Sequence, residues 1–149
     1  MQVSQKSVYA LRAVLELAKH YGAGPVKTAQ IAGRQAIPQR FLEVILSELK
    51  RGGFVRSRRG NEGGYELARS PEDLTVGEIM VFVQGPIGPI ACLTDDSEAR
   101  RCCLRAQPHC IFRGMWKKIH DAISSVYEGT TFDDLVQQEQ KLLQSCAAS

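Results

Sequence analysis

The fold of this chain is decided by residues 28–67, which read TAQIAGRQAIPQRFLEVILSELKRGGFVRSRRGNEGGYEL. The first part of this stretch predicts two short helices, because apolar residues recur at helical spacing on either side of Ala36-Ile37. Thr28 can cap the first helix. Pro38 suits the first turn of the second helix, where its missing N–H costs nothing. Two short helices joined by a tight turn are typical of a helix-turn-helix.

A β-hairpin is predicted directly after the second of these helices. Gly52-Gly53 end the helix, and short strand-like runs at 54–57 and 65–67 flank a loop that contains three glycines. Glycine tolerates the positive φ angles of a tight hairpin tip. The hairpin completes a winged helix-turn-helix, so the fold class we predict is mainly α with a small β-hairpin wing.

Positive charge is concentrated in the same region. Between residues 34 and 59, seven basic residues against two acidic ones leave +5, whereas the whole chain carries only +3. A charge run is usually a solvated face, but this one surrounds two motifs that bind DNA in other proteins. In such an architecture the second helix enters the major groove and the hairpin tip reaches the minor groove or phosphates.

The predicted DNA-binding residues lie in the helix-turn-helix and at the hairpin tip. They are Thr28, Pro38, Gln39, Arg40, Glu43, Arg58, Arg59 and Gly60. Each has an ordinary alternative, because exposed polar residues on a helix are often only solubilising. Glu43 either accepts a hydrogen bond from a cytosine amino group or is a surface charge.

Amphipathic helices flank the winged unit. A first helix with apolar residues from Val8 to Ala18 is stopped by Gly22 and Gly24. Residues 75–78 fit a capping box that opens a further helix, and residues 85–89 read as a linker. Apolar residues at three- and four-residue steps then predict a long helix over 112–126.

The long helix carries a wide apolar stripe that must be buried. A small winged domain offers little surface for it, which favours an antiparallel helix pair across a homodimer. A last helix from about Thr131 would pack beside it. We therefore predict a DNA-binding domain at 1–84, a linker and cysteine-rich loop at 85–110, and dimerisation helices at 111–146.

Four of the five cysteines lie between the linker and the long helix: Cys92, Cys102, Cys103 and Cys110. There is no signal-peptide pattern and no apolar run near the roughly 18 residues that cross a bilayer, so we expect a cytoplasmic protein. In a reducing compartment, clustered cysteines indicate metal ligands or a thiol switch before structural disulfides. Thiolates suit iron-sulfur clusters because soft sulfur ligates iron well.

An enzyme is the weakest interpretation. The chain has no phosphate-binding glycine loop before a helix, no nucleophile-elbow serine and no convincing acid-base pair. A metal-binding module that acts on a partner protein is a further alternative, but a protein partner would not need a +5 surface.

Several segments resemble one family of bacterial regulators: Val3 to Ala13, Phe41 to Val55, Arg59 to Leu67, Val76 to Ile79, and Cys110 followed by Trp116. Over nearly its whole length the chain resembles the Rrf2-type winged-helix transcriptional regulators, which include IscR, NsrR and CymR. The resemblance implies a homodimer that binds a palindromic DNA operator. It also implies that three loop cysteines hold a [2Fe-2S] or [4Fe-4S] cluster whose state alters operator affinity.

The resemblance also suggests which cysteines are ligands. Cys110 matches the last family cysteine because it stands six residues before Trp116, and Cys92 matches the first. Cys103 is the preferred middle ligand, with Cys102 as its alternative. A cluster-free thiol switch, in which Cys92 and one of the other three form a reversible disulfide, keeps the same fold.

The fourth ligand is where the sequence departs from these relatives. The nitric-oxide sensors use a carboxylate from the partner's first helix, and the matching residue here is Val8. The iron-sulfur regulator uses a histidine, and Arg113 holds that place. The remaining candidates are His109, the spare vicinal cysteine, Ser4 or Tyr9 from the other subunit, or an exogenous thiol.

Overall fold

The computed structural model describes residues 2–88, 93 and 110–147 of the 149-residue chain. Its elements are α1 (Gln5–Lys19), α2 (Thr28–Gln35), α3 (Gln39–Arg51), β1 (Val55–Arg58), β2 (Gly64–Leu67), a 3-10 turn (Pro71–Asp73), α4 (Val76–Gln84), α5 (Arg113–Gly129) and α6 (Phe132–Ala147). The prediction of a mainly helical chain with a hairpin wing is confirmed. Among the described helices, none is long and apolar enough to cross a membrane.

The helix-turn-helix consists of α2 and α3. α2 ends at Ala36, whose left-handed conformation (φ 50°) turns the chain sharply before the buried Ile37. α3 packs one face inward, and its buried residues are Leu42, Ile45, Leu46 and Leu49. Two details differ from expectation, because Lys27 rather than Thr28 is the N-cap of α2 and Pro38 precedes α3 as its N-cap.

The wing is an antiparallel hairpin in which Val55 pairs with Leu67 and Arg58 with Gly64. It is held to the start of α2, since Val26 and Tyr65 exchange backbone hydrogen bonds of 2.8 and 2.9 Å. Gly64 permits this contact, because a Cβ there would lie 2.3 Å from the backbone oxygen of Val26. Lys50 Nζ also donates to Ser57 Oγ at 2.6 Å, which ties the wing to α3.

We call α1 to α4 with the hairpin the head. α1 lies at its centre, and Ala10, Ala13, Val14 and Leu17 pack into one apolar cluster with residues of α2, α3 and α4. α4 begins with the predicted capping box between Thr75 and Glu78. At its end, Gln84 Oε1 accepts hydrogen bonds from Ser4 N and Ser7 Oγ, so the chain leaves the head beside the start of α1.

α5 is the predicted long helix, and it has no buried residue in the described structure. Four large apolar side chains of the helix and its N-cap remain exposed: Phe112 by 61%, Met115 by 46%, Ile119 by 37% and Val126 by 65%. We call these four residues the stripe. The other side of α5 meets α4 at Gly77, where a Cβ would lie 3.2 Å from the backbone of Tyr127.

α6 does not pack beside α5 as the sequence suggested, because it packs against α1 in the head. Phe132, its first residue, is fully buried in the apolar cluster of the head. Backbone pairing brings it there, since Phe132 N donates to Leu74 O at 2.9 Å and Val76 N donates to Thr130 O at 2.9 Å. Thr131 and Asp134 cap the helix, as expected of first-turn residues.

Candidate nucleic-acid interface

The exposed face of α3 carries three of the predicted DNA-binding residues. Gln39, Arg40 and Glu43 are exposed, while the opposite face of the helix is buried. Gln39 Nε2 donates to Glu43 Oε1 at 3.0 Å. This bond holds the Glu43 carboxylate beside the Gln39 amide. The carboxylate offers hydrogen-bond acceptors and the amide offers both a donor and an acceptor, which are the groups that base edges require.

A groove of about 510 Å³ separates the N-terminus of α2 from the hairpin. Thr28, Arg58 and Gly60, which the sequence selected individually, line this groove together. Lys27 and Asn61 line it as well. Free N–H groups at a helix start and nearby cations favour an anion, so the groove has the chemistry of a phosphate site.

The arginines around this surface are not neutralised. In the part of the chain that the structure describes, Arg40, Arg56, Arg58 and Arg59 form no ion pair, whereas Arg34 and Arg69 do. Arg59 stands beside Gly60, whose φ of 103° marks the tight hairpin tip. Their full charge therefore remains available to a polyanion.

The predicted residues fall into two neighbouring groups, one on α3 and one at the groove. Sequence reasoning missed Lys27 and Asn61. The basic residue just before a helix start was a usable signal for Lys27, but the assumption that Thr28 capped the helix concealed it. Direct contact between any of these residues and DNA remains a prediction.

A buried carboxylate lies behind this surface. Glu16 of α1 is only 2% exposed, and Oε1 accepts from Arg34 Nη1 at 2.9 Å while Oε2 accepts from Gln35 Nε2 at 2.8 Å. Lys19 Nζ lies 3.1 Å from Oε2 and 2.9 Å from Glu139 Oε2. We call Glu16, Lys19, His20, Arg34, Gln35 and Glu139 the Glu16 cluster.

The cluster changes the acidity of its members. Burial by itself would raise the pKa of Glu16, but hydrogen bonds from Gln35, Arg34 and Lys19 hold it below its ordinary value. Burial would lower the pKa of Lys19, yet the Glu139 and Glu16 carboxylates raise it. Both groups therefore remain charged at neutral pH.

The described part of the cysteine region is short. Cys110 is a half-buried free thiol whose backbone oxygen accepts from Arg113 N at 3.0 Å, and Cys146 is exposed. Cys92, Cys102, Cys103 and His109 lie outside the described residues, as does any contact among them. Over residues 2–88, 93 and 110–147, no group of three or more potential ligands could hold a metal ion.

The donor chemistry at Cys110 nevertheless fits a thiolate-ligated group, because its sulfur is neither oxidised to a disulfide nor fully enclosed. Val8 lies half-buried on α1, and Arg113 is the first residue of α5. Neither side chain can ligate a metal, so the two family positions for a fourth ligand carry none here.

The sequence and fold of this chain are similar to those of known transcriptional regulators. A family model named Rrf2, described as an iron-dependent transcriptional regulator, matches residues 3–138. The HTH-type transcriptional regulator CymR of Bacillus subtilis is 36% identical over 135 residues, covering 91% of this chain and 89% of that protein. Its solved structure, titled as the global cysteine regulator, superimposes with a TM-score of 0.75 at 34% identity over 93% of this chain and 98% of that one.

Two further structures are similar. T. potens IscR has a TM-score of 0.77 at 30% identity, covering 95% of this chain and 90% of that one. The oxidized form of Staphylococcus aureus CymR has a TM-score of 0.70 at 27% identity, covering 91% and 96%. The named relatives are transcriptional regulators and not enzymes.

Proposed function

This chain belongs to the Rrf2 family of transcriptional regulators, and on that premise we propose that it is a cytoplasmic homodimer whose operator affinity is set by its loop cysteines. Regulators of this family bind DNA, usually as dimers.

The unpaired arginines carry the assignment of the DNA-binding surface. Arg40 on α3 and Arg58 and Arg59 on the wing retain their charge within the described structure, while the neighbouring Arg34 is used internally. We assign base reading to Gln39, Arg40 and Glu43, and phosphate contacts to Thr28, Arg58, Arg59 and Gly60. Pro38 starts α3 in the required direction.

Dimerisation gives this surface its specificity. Two copies related by a two-fold axis would present two α3 helices to half-sites about 34 Å apart along the duplex. The exposed stripe of α5 supports this helix as the seam. A mispositioned base contact costs roughly 1 to 3 kcal/mol, so a small change in the spacing of the heads changes occupancy about tenfold or more.

We propose that Cys92, Cys103 and Cys110 hold an iron-sulfur cluster, with Cys102 as the alternative to Cys103 and with an open fourth position. When bound, a [2Fe-2S] or [4Fe-4S] cluster supplies a centre that responds to redox state, nitric oxide or iron supply. The iron-dependent description of the family model supports this reading. Cys110 lies only three residues before the start of α5, so its position bears directly on the dimer helix.

A cluster-free thiol switch is the second candidate. The free Cys110 thiol and the existence of an oxidized form of S. aureus CymR favour it. In this version Cys92 and one of Cys102, Cys103 or Cys110 form a reversible disulfide, with the two electrons taken by an oxidant such as a peroxide. The same loop and the same helix would respond.

The test is the visible spectrum, with iron and acid-labile sulfide content, of protein purified without oxygen. We expect a visible band and stoichiometric iron and sulfide in the native chain, abolished in Cys103→Ala and retained in Cys102→Ala. Val8→Ala is the matched control in the head, and it should retain the band because Val8 cannot ligate iron.

The outcomes separate the two candidates. A colourless, iron-free protein whose operator affinity still responds to oxidants would replace the cluster by the thiol switch. A colourless protein that ignores oxidants would remove both. Loss of the band in Val8→Ala would mean that the α1 position of the fourth ligand has been judged wrongly.

A further inference from the structure

The Glu16 cluster connects three helices, α1, α2 and α6. Glu16 and Lys19 belong to α1, Arg34 and Gln35 end α2, and Glu139 lies on α6. We propose that Glu16 is a positioning residue for DNA recognition, and that the Lys19–Glu139 ion pair makes this position depend on α6. This inference rests on the proposed function, because it assumes that α3 and the wing read the operator.

Glu16 holds α2 at the place where its direction matters most. Arg34 and Gln35 are the last two residues of α2, immediately before the left-handed Ala36 and four residues or so before α3 begins. Arg12 Nη1 lies 3.5 Å from the backbone oxygen of Gln35, which adds a second contact at the same point. Any shift of this end of α2 therefore passes through a three-residue turn into α3.

Both carboxylate oxygens are in use. Oε1 accepts from Arg34, and Oε2 accepts from Gln35 and faces Lys19. An amide at this position has only one acceptor oxygen, and its NH₂ group would face a donor. A substitution as small as Glu16→Gln therefore cannot satisfy Arg34 and Gln35 together.

His20 supports the same arrangement. Its Nδ1 lies 2.9 Å from the backbone oxygen of Glu16, and its Nε2 lies 2.8 Å from Arg34 Nη1. The imidazole and the Glu16 carboxylate thus contact the same nitrogen of Arg34, Nη1. Arg34 is consequently held by two groups of α1, so its guanidinium is paired within the chain although it lies in the basic stretch of the sequence.

Lys19 extends the arrangement to the C-terminal part of the chain. Its Nζ lies between Glu16 Oε2 at 3.1 Å and Glu139 Oε2 at 2.9 Å. α6 enters the head through Phe132, directly after the dimer helix α5. The ion pair thus connects the end of α2 with the helix that follows the dimer seam.

The sign of one mutational effect distinguishes positioning from general electrostatics. Removing a negative charge from a DNA-binding protein should strengthen its attraction to phosphate. If Glu16 positions α2, its neutralisation should instead weaken binding to the specific operator. Nonspecific binding, which depends on charge and not on the orientation of α3, should stay equal or become slightly tighter.

The experiment titrates full-length protein against the operator duplex that the native protein selects from random DNA, and against a scrambled duplex. For Glu16→Gln we expect about a tenfold weaker operator affinity, with the stoichiometric end point and the scrambled-duplex affinity retained. Glu16→Asp, which keeps two oxygens, should recover part of the affinity. Glu72→Gln, an exposed carboxylate of the head, is the matched control and should leave operator binding equal or tighter.

Equal or tighter operator binding by Glu16→Gln would overturn the inference. If that variant does not fold, Glu139→Gln supplies the test, because Glu139 is only half-buried on α6 and its neutralisation also removes one negative charge. We expect weaker operator binding there by about threefold, and unchanged or tighter binding would overturn the inference. If the native protein selects no DNA sequence at all, the proposed function itself fails, which is a different result.

Discussion

The head and α5 treat the same kind of sequence pattern in opposite ways. Both contain helices with apolar residues at three- and four-residue spacing, yet Leu42, Leu46 and Leu49 of α3 are completely buried whereas no residue of α5 is fully buried. The head thus forms its core from its own chain, whereas the proposed function assigns the stripe to a second copy. The spacing of apolar residues predicts that one face of a helix will be buried, but it does not predict whether the same chain or a second one buries it.

The largest effect should come from placing a charge in the stripe. Val126 is 65% exposed, so Val126→Glu should leave the monomer folded. In a dimer seam the carboxylate would be buried without a partner, which costs several kcal/mol and should weaken dimerisation by about a hundredfold or more. Sedimentation velocity at several concentrations measures this.

The control for that variant is Ser125→Glu, which adds the same charge outside the stripe and should leave the dimer intact. An unchanged dimer in Val126→Glu would break the comparison, because the stripe would then not be the seam. Equal dissociation in both variants would point to a general effect of charge on α5.

A core truncation in the head should have the next largest effect. Leu46→Ala removes a fully buried side chain from α3 and should lower the free energy of unfolding by about 2 to 5 kcal/mol. Val44→Ala, on the exposed face of the same helix, should change it by less than about 1 kcal/mol. Urea unfolding measures the free energy of unfolding of both variants. Similar decreases in the two would contradict the assignment of the buried and exposed faces of α3.

The smallest of the three effects concerns the tip of the wing, whose exposed arginines belong neither to the core nor to the proposed seam. Arg59→Ala should weaken operator binding by about 1 to 3 kcal/mol while leaving dimerisation and stability unchanged. Lys141→Ala removes a charge from α6 and should have no such effect. An operator titration unaffected by Arg59→Ala would show that the wing has been assigned wrongly.

Local signals explain how much of the fold could be predicted. The capping boxes at Thr75 and Thr131, the αL turn before Pro38 and the glycine-tipped hairpin are determined by neighbouring residues, and the elements lie where the sequence indicated. The predicted N-cap of α2 was wrong by one residue. Lys27 and Thr28 are adjacent polar residues, and the sequence does not show which of them precedes the first helical residue. The arginines assigned to DNA contact were chosen from charge density, and that assignment stays a prediction.

The rest depends on distant contacts. The packing of α6 on α1 follows from the burial of Phe132 in the core of the head. The spacing of apolar residues within α6 does not predict which helix it packs against. Glu16 resembles any polar residue of an amphipathic helix until Arg34, Gln35 and Lys19 are brought around it. The choice between Cys102 and Cys103 stays a prediction, since both lie outside the described residues.

The close contact of α5 with α4 at Gly77 fixes one end of this long helix against the head. Its C-terminal end is rooted in the head by Gly77, Thr130 and Phe132, while its other end carries Cys110. A helix of 17 residues is about 25 Å long, so a tilt of about 5° at the root moves the far end by about 2 Å. Under the proposed function, a reaction at the cysteines would act on the head through the whole length of α5, and Gly77 keeps the contact at the other end close because it has no side chain.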